Sequence, residues 1–187
     1  MRQTRTGEAA DLLMRVMRSR TVIRDYAPGA IPRSHLIMIL QAGRLASSAG
    51  NNRVHRFLVT EDPRTIGLIR SVAPGMLAVP TAAIVICTDL AVAKRREVQA
   101  SKDPAVWIDV GTSAMNMQLM AHALDLGSCP VTSFSQSGLS VMLALPPVAR
   151  PELLLMIGRR QDRPPVDGIT PPEKPSVDEF AYWESYG

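Results

Sequence analysis

The residues able to do chemistry in this chain are mostly arginines set beside polar loops. The 187 residues contain no GxSxG, HExxH, P-loop or GxGxxG pattern. His35, His55 and His122 stand far apart, without metal-ligand spacing. Cys87 and Cys129 form no CxxC, so neither a disulfide framework nor a zinc site is expected, and a reducing compartment fits. A Ser/His/Asp arrangement is not excluded by spacing, but no motif points to one. The cations are concentrated instead. Residues 1–24 hold Arg2, Arg5, Arg15, Arg18, Arg20 and Arg24 against Glu8 and Asp11, an excess equal to the whole formal charge of +4. Guanidinium forks suit anions because they give bidentate, charge-assisted hydrogen bonds. The same arm could be a solvated helix face or a nucleic-acid contact. Only 4% of residues are aromatic, too few to interleave with the arginines, so no nucleic-acid partner is expected.

The elements that must position these groups are legible in outline. At 46% hydrophobic and 20% charged, the chain reads as one globular domain over 1–187. No apolar signal segment opens it and no run is long enough to span a bilayer, so a cytoplasmic protein without membrane contact is expected. The organising stretch runs from Pro104 to Pro130. Val110, Ala114, Met117, Ala121 and Leu124 form one helical stripe, and Met115, Leu119 and Met120 lie off it. Such a helix must be buried nearly all round, in the core or against a second subunit. Gly127 is its expected C-cap.

Before that helix, the pattern predicts a short helix over Glu8 to Ser19, an extended stretch from Thr21 to Tyr26, and a helix opened by Pro32. A loop of small residues from Ala46 to Asn52 precedes a strand at Phe57 to Thr60. Asp62-Pro63 starts a further helix, and Thr81 to Thr88 is a buried strand. Ala93 to Asp103 is polar and charged, the candidate lid. After the central helix come a strand near Ser128 to Phe134, a short helix near Leu139 to Leu145, and a last strand from Glu152 to Ile157. From Arg159 the chain is proline-rich, yet Phe180, Tyr182, Trp183 and Tyr186 make up half of its eight aromatics. A tail over about 159–187 is therefore expected to wrap its own domain or a partner subunit.

Three blocks resemble the nitroreductase family of FMN-dependent oxidoreductases. Ser19 to Tyr26, SRTVIRDY, is similar to the family's Arg-Arg-Ser-x-Arg-x-Phe/Tyr element. Ala46 to Phe57, ASSAGNNRVHRF, is similar to its A-P-S-x-x-N-x-Q-P-W-x-F. Asp109 to Phe134 resembles its D-x-x-x-A-x-x-N-L-x-L-A-A-x-x-L-G-L-G-S segment, and Asp178 to Gly187 its C-terminus.

The resemblance implies an α+β fold, a mostly antiparallel sheet flanked by helices in an interlocked homodimer, with FMN bound between subunits. It implies hydride transfer from NADH or NADPH through the flavin to an oxidised small-molecule acceptor such as a nitroaromatic or quinone. It places Arg20, Thr21, Val22 and Arg24 at the FMN phosphate, with Lys174, or Arg159 and Arg160, as a C-terminal basic contribution. Ser47, Ser48, Ala49 and Asn51 would approach the flavin from the neighbouring subunit, and Pro130, Val131, Thr132 and Ser133 would line its ring with backbone N–H groups. No side chain is assigned as a catalytic acid or base. The chain departs from the family where Thr21 and Val22 replace Arg and Ser, and where Arg53-Val54-His55 replaces Gln-Pro-Trp. Arg53 and His55 could thus face an acidic substrate or a phosphate. Other flavin chemistry on this fold (fragmentation, or oxygen-dependent dehydrogenation) and a non-enzymatic flavin or nucleotide carrier are the alternatives.

Overall fold

The computed structural model describes residues 2–161 and 176–185. Two apolar runs generate its sheet. β3 (Ala82–Asp89) and β5 (Ala149–Arg160) lie antiparallel, with Ile84 opposite Leu155 and Val85 opposite Leu154. Successive side chains of a strand point to opposite faces, so each strand feeds two cores. Ile84, Ile86, Leu155 and Ile157 join one, with Leu36 and Ile39 of α2 (Arg33–Arg44) and Val110, Ala114 and Met117 of α5 (Pro104–Ala123). Val85, Cys87, Leu154 and Met156 join the other, with Ile66 and Ile69 of α3 (Pro63–Ser71) and Leu139 of α6 (Gln136–Met142). The layering is helix, sheet, helix, which explains why β3 lacks a polar face.

β2 (His55–Thr60) lies beyond β3, while β1 (Tyr26–Ala27) and β4 (Leu126–Val131) pair with β5. Arg159 stands opposite both Ala27 and Leu126, so these two strands flank β5 on its two edges. Every pairing is antiparallel, as the α+β expectation required. Helix starts follow the sequence: the Asp62 carboxylate accepts from Thr65 N–H ahead of Pro63, and the Asp103 carboxylate from Ala105 N–H ahead of Pro104. No helix among the described residues is long and apolar enough to cross a membrane.

Several details differ from the sequence reading. α1 (Arg2–Ser19) begins earlier than Glu8. Of the extended stretch after it, only Tyr26 and Ala27 pair as a strand, and Ile23 N–H reaches Ser128 C=O alone. Gly127 does not cap α5. The left-handed residue there is Asp125 (φ 57°), and Gly127 lies inside β4, where a Cβ would sit 2.7 Å from Ile23 Cγ2. Close approach, rather than positive φ, requires the glycine. Gly43 has the same role on α2, since a Cβ there would overlap Met117 Cε. α5 is buried on one side but leaves Trp107, Ile108 (64% exposed) and Met115 open.

The candidate lid is not free. α4 (Leu90–Arg95) opens it, Ala93 and Ala100 are buried with Val54 and Val106, and Ala100 C=O accepts from Arg150 Nη2 at 2.6 Å. Of the tail, Lys174 and Tyr186 lie outside the described residues. Phe180 and Trp183 are 74% and 79% exposed, so they do not fold back onto their own domain.

Candidate functional site

The residues singled out in the sequence gather at two places, not one. The first lies where α1 ends, beside β4 and the end of β5. Ser19 Oγ is 2.7 Å from His122 Nε2, and Arg160 Nη1 is 3.3 Å from His122 Nδ1. A guanidinium only donates, so Nδ1 accepts and Nε2 carries the proton of the neutral ring. Ser19 takes that proton's hydrogen bond and donates its own to Arg15 C=O at 2.7 Å. Burial, then the charges of Arg160 and Arg20, push the His122 pKa below its ordinary value, which keeps the ring neutral. Arg20 Nη1 is buried and has no hydrogen-bond partner among the described residues. A buried guanidinium N–H without an acceptor is costly, and an anionic oxygen is the natural group to complete it.

The neighbours of this cation group are partly structural. The Arg24 guanidinium stands against Cys129, whose pKa burial nevertheless raises. Thr21 is exposed, whereas Val22 packs against the second core and so offers no side chain to a ligand. Val131 is likewise a core residue, and Pro130 has no N–H to give. Of the four residues expected to line a ring with N–H donors, Thr132 and Ser133 alone combine a donor with exposure. Arg159 lies over the Gly29 turn, and Arg160 is the arginine that reaches His122. Lys174 falls outside the described residues.

The second place is a cavity of about 530 Å³ between the end of α2, the start of β2 and the first half of α5. Ser47, Ser48, Arg53 and His55 line it, as do Phe57, Asp109 and Ser113. Asp109 shapes this wall. It is 7% exposed, and its two oxygens accept from Ala49 N–H at 3.1 and 3.2 Å. Ser48 Oγ accepts from Arg53 N–H at 3.2 Å, and Asn51 Oδ1 from Arg53 Nε at 2.8 Å. The side chains of Ser48 and Asn51 therefore hold the loop's shape. His55 Nε2 donates to Val106 C=O at 3.1 Å, and burial lowers its pKa more than the nearby Asp109 raises it.

Sequence reasoning passed over Asp109 and His122 as functional residues. Asp109 did leave a signal, being the one acid between Asp103 and Asp125 in an otherwise apolar helix. His122 left none, because its partners Ser19 and Arg160 are remote in the chain. The two places lie at opposite ends of α5. Asp109 and His122 are separated by roughly 20 Å, at a rise of about 1.5 Å per residue. Among the described residues no group of His, Cys, Asp or Glu could hold a metal ion.

Comparison with known proteins agrees with this architecture. Residues 73–159 match the model of the nitroreductase family. The chain is 27% identical over 119 residues to a Methanothermobacter thermautotrophicus protein named as an NADH dehydrogenase/NAD(P)H nitroreductase. That match takes in 62% of this chain and 58% of the relative, so the chain spans less than two thirds of the curated relative's length. Two solved structures share the fold. One is a Parabacteroides distasonis protein of the same description (TM-score 0.76, 19% identity, 94% of this chain and 99% of that one). The other is an FMN-dependent nitroreductase from Clostridium difficile (TM-score 0.72, 23% identity, 91% and 98%). With strand order, helix layers and the 73–159 match all in agreement, the chain has the nitroreductase fold.

Proposed function

We propose that the chain is an FMN-dependent NAD(P)H oxidoreductase that works as a homodimer, one domain per subunit, on an oxidised small-molecule acceptor. The observation that carries this reading is the buried, partnerless Nη1 of Arg20 beside Arg160 and His122. That group fits a terminal phosphate, with Arg20 and Arg24 in the role the resemblance implied and Arg160 as the C-terminal basic contribution. Bound there, FMN would supply hydride chemistry between a reduced nicotinamide and the acceptor. The chain's part is to bind, orient and exclude water. Thr132 and Ser133 would direct N–H donors to the ring, and the 47–51 loop, held by Asp109, would close over it from the partner.

Two features support a second copy. The loop and the cation group are roughly 20 Å apart on α5, too far for one subunit to complete a site from both. The apolar side chains of Ile37, Met38, Trp107, Ile108 and Met115 are also uncovered, a surface that suits self-association. Antiparallel packing of two such faces about a two-fold axis would bring the Asp109 end of one α5 toward the His122 end of the other.

The test is the visible spectrum of the purified protein before and after anaerobic NADH or NADPH. Yellow protein that releases FMN on denaturation and bleaches with a nicotinamide is the expected result, with Arg20→Gln retaining less flavin. Colourless protein that refuses added FMN would overturn the reading. Yellow protein that does not bleach would point instead to fragmenting or oxygen-dependent flavin chemistry.

A further inference from the structure

A second cleft, of about 550 Å³, borders the Arg53 loop, and Arg53, Arg56, Arg95 and Arg96 are among the residues that line it. The four guanidiniums come from three separate elements: the loop after α2, the edge strand β2, and the end of α4 with the residue after it. Cations at the end of α4 would by themselves be explained by the helix dipole. That account does not reach Arg53 or Arg56, which come from other elements. The nearby acids do not neutralise the group. Arg56 is 3.5 Å from Asp89, while Arg53, Arg95 and Arg96 form no ion pair among the described residues, and Glu97 is not part of the lining.

The loop that delivers Arg53 is strained. Asn51 (φ 53°) and Arg53 (φ 47°) both sit in the left-handed region, which costs a residue with a side chain about 1 kcal/mol or more. Arg53 spends Nε on Asn51 Oδ1, leaving both Nη groups for another acceptor. Arg53 and Arg56 also line the 530 Å³ cavity, so the two spaces share a wall. A ligand seated in that cavity could extend an anionic group into the arginine cleft.

We infer that this cleft binds the phosphate monoester of a co-substrate, the 2′-phosphate of NADPH being the source that fits the proposed chemistry, a phosphorylated acceptor the other. The choice of ligand rests on the oxidoreductase reading above; the cleft itself does not. Two or more charge-assisted hydrogen bonds to one phosphate make discrimination of about tenfold or greater the expectation.

The experiment is calorimetric titration of NADP⁺, NAD⁺ and phenyl phosphate into the full chain and into R95Q/R96Q, at low and at physiological salt. Both arginines are exposed, and an unchanged melting temperature verifies that the variant folds. Binding of NADP⁺ about tenfold or more tighter than NAD⁺, with the difference lost in the variant and weakened by salt, supports the dinucleotide source. Equal NADP⁺ and NAD⁺ binding, with phenyl phosphate binding lost in the variant, supports the phosphate site and assigns its phosphate to the acceptor. Identical titrations for wild type and variant overturn the inference. The flavin spectrum of the same samples separates the two proposals, since a colourless protein that still distinguishes NADP⁺ from NAD⁺ would sink only the flavin reading.

Discussion

Replacing Asp109 should loosen the cavity loop by an amount its surroundings allow to be worked out. The carboxylate is buried, and its charge is committed to one backbone donor, Ala49 N–H, through both oxygens. Hydrogen bonds to charged acceptors contribute about 1.5–3 kcal/mol, and Ala49 itself is exposed, so water can take its N–H once the carboxylate is gone. Asp109→Ala removes the charged acceptor and should cost about 2 kcal/mol. Asp109→Asn keeps one carbonyl oxygen in place but not the charge, and neutral hydrogen bonds are about half as strong, so about 1 kcal/mol is expected. At about 2–4 °C per kcal/mol for a domain of this size, the melting temperature should fall by about 4–8 °C for Ala and about 2–4 °C for Asn. The assay is differential scanning calorimetry at one fixed protein concentration, because the proposed self-association would make the transition concentration-dependent. Amide hydrogen exchange over residues 46–53 gives the local readout and should rise in the order wild type, Asn, Ala. Equal melting of all three proteins, or exchange in that loop no faster in Ala than in wild type, would refute the claim that Asp109 holds the wall.

Gly127→Ala should destabilise by about 1–3 kcal/mol, because its new methyl group meets Ile23 within β4. Adding Ile23→Ala should return part of that loss, and a double-mutant cycle that finds the two costs simply additive would contradict the contact. Ile108→Asp, on the open face of α5, should convert the proposed dimer to monomers by analytical ultracentrifugation and lower flavin retention with it. Monomers that keep full flavin would show that one subunit suffices.

What the sequence disclosed follows from the range over which each signal acts. The uninterrupted apolar run of β3 and the Asp-Pro starts of α3 and α5 are local, and the structure has them where the residues put them. The α5 C-terminus was misread for a physical reason. Gly127 looks like a cap because glycine tolerates positive φ, yet Asp125 adopts that conformation and the glycine is needed for Ile23, a contact made more than a hundred residues away along the chain. Val22 and Val131 match the resembling blocks by position, while their side chains pack in the second core, Val131 through the alternation of β4. The arginine cleft was invisible because its members converge from residues 53–56 and 95–96, with no common motif.

The hydrogen-bonded polar groups of α5 explain why a helix with so little polar contrast is still specific in its placement. Apolar packing alone would let such a helix rotate or slide, since Val110, Ala114, Met117 and Ala121 offer similar surfaces turn after turn. Three hydrogen-bonded points remove that freedom. Asp109 accepts from Ala49 N–H near one end, Asn116 Nδ2 donates to Ala42 C=O at 3.3 Å in the middle, and His122 bridges Ser19 and Arg160 at the other end. A slip by one residue would turn each group about 100° and leave it without its partner, a cost of about 1–3 kcal/mol for the buried Asp109 and less for the half-buried Asn116 and His122. The same contacts tie α5 to the α2 end, the cavity loop, α1 and β5. The pins that set the helix's register therefore also fix where the loop and the cation group stand relative to each other.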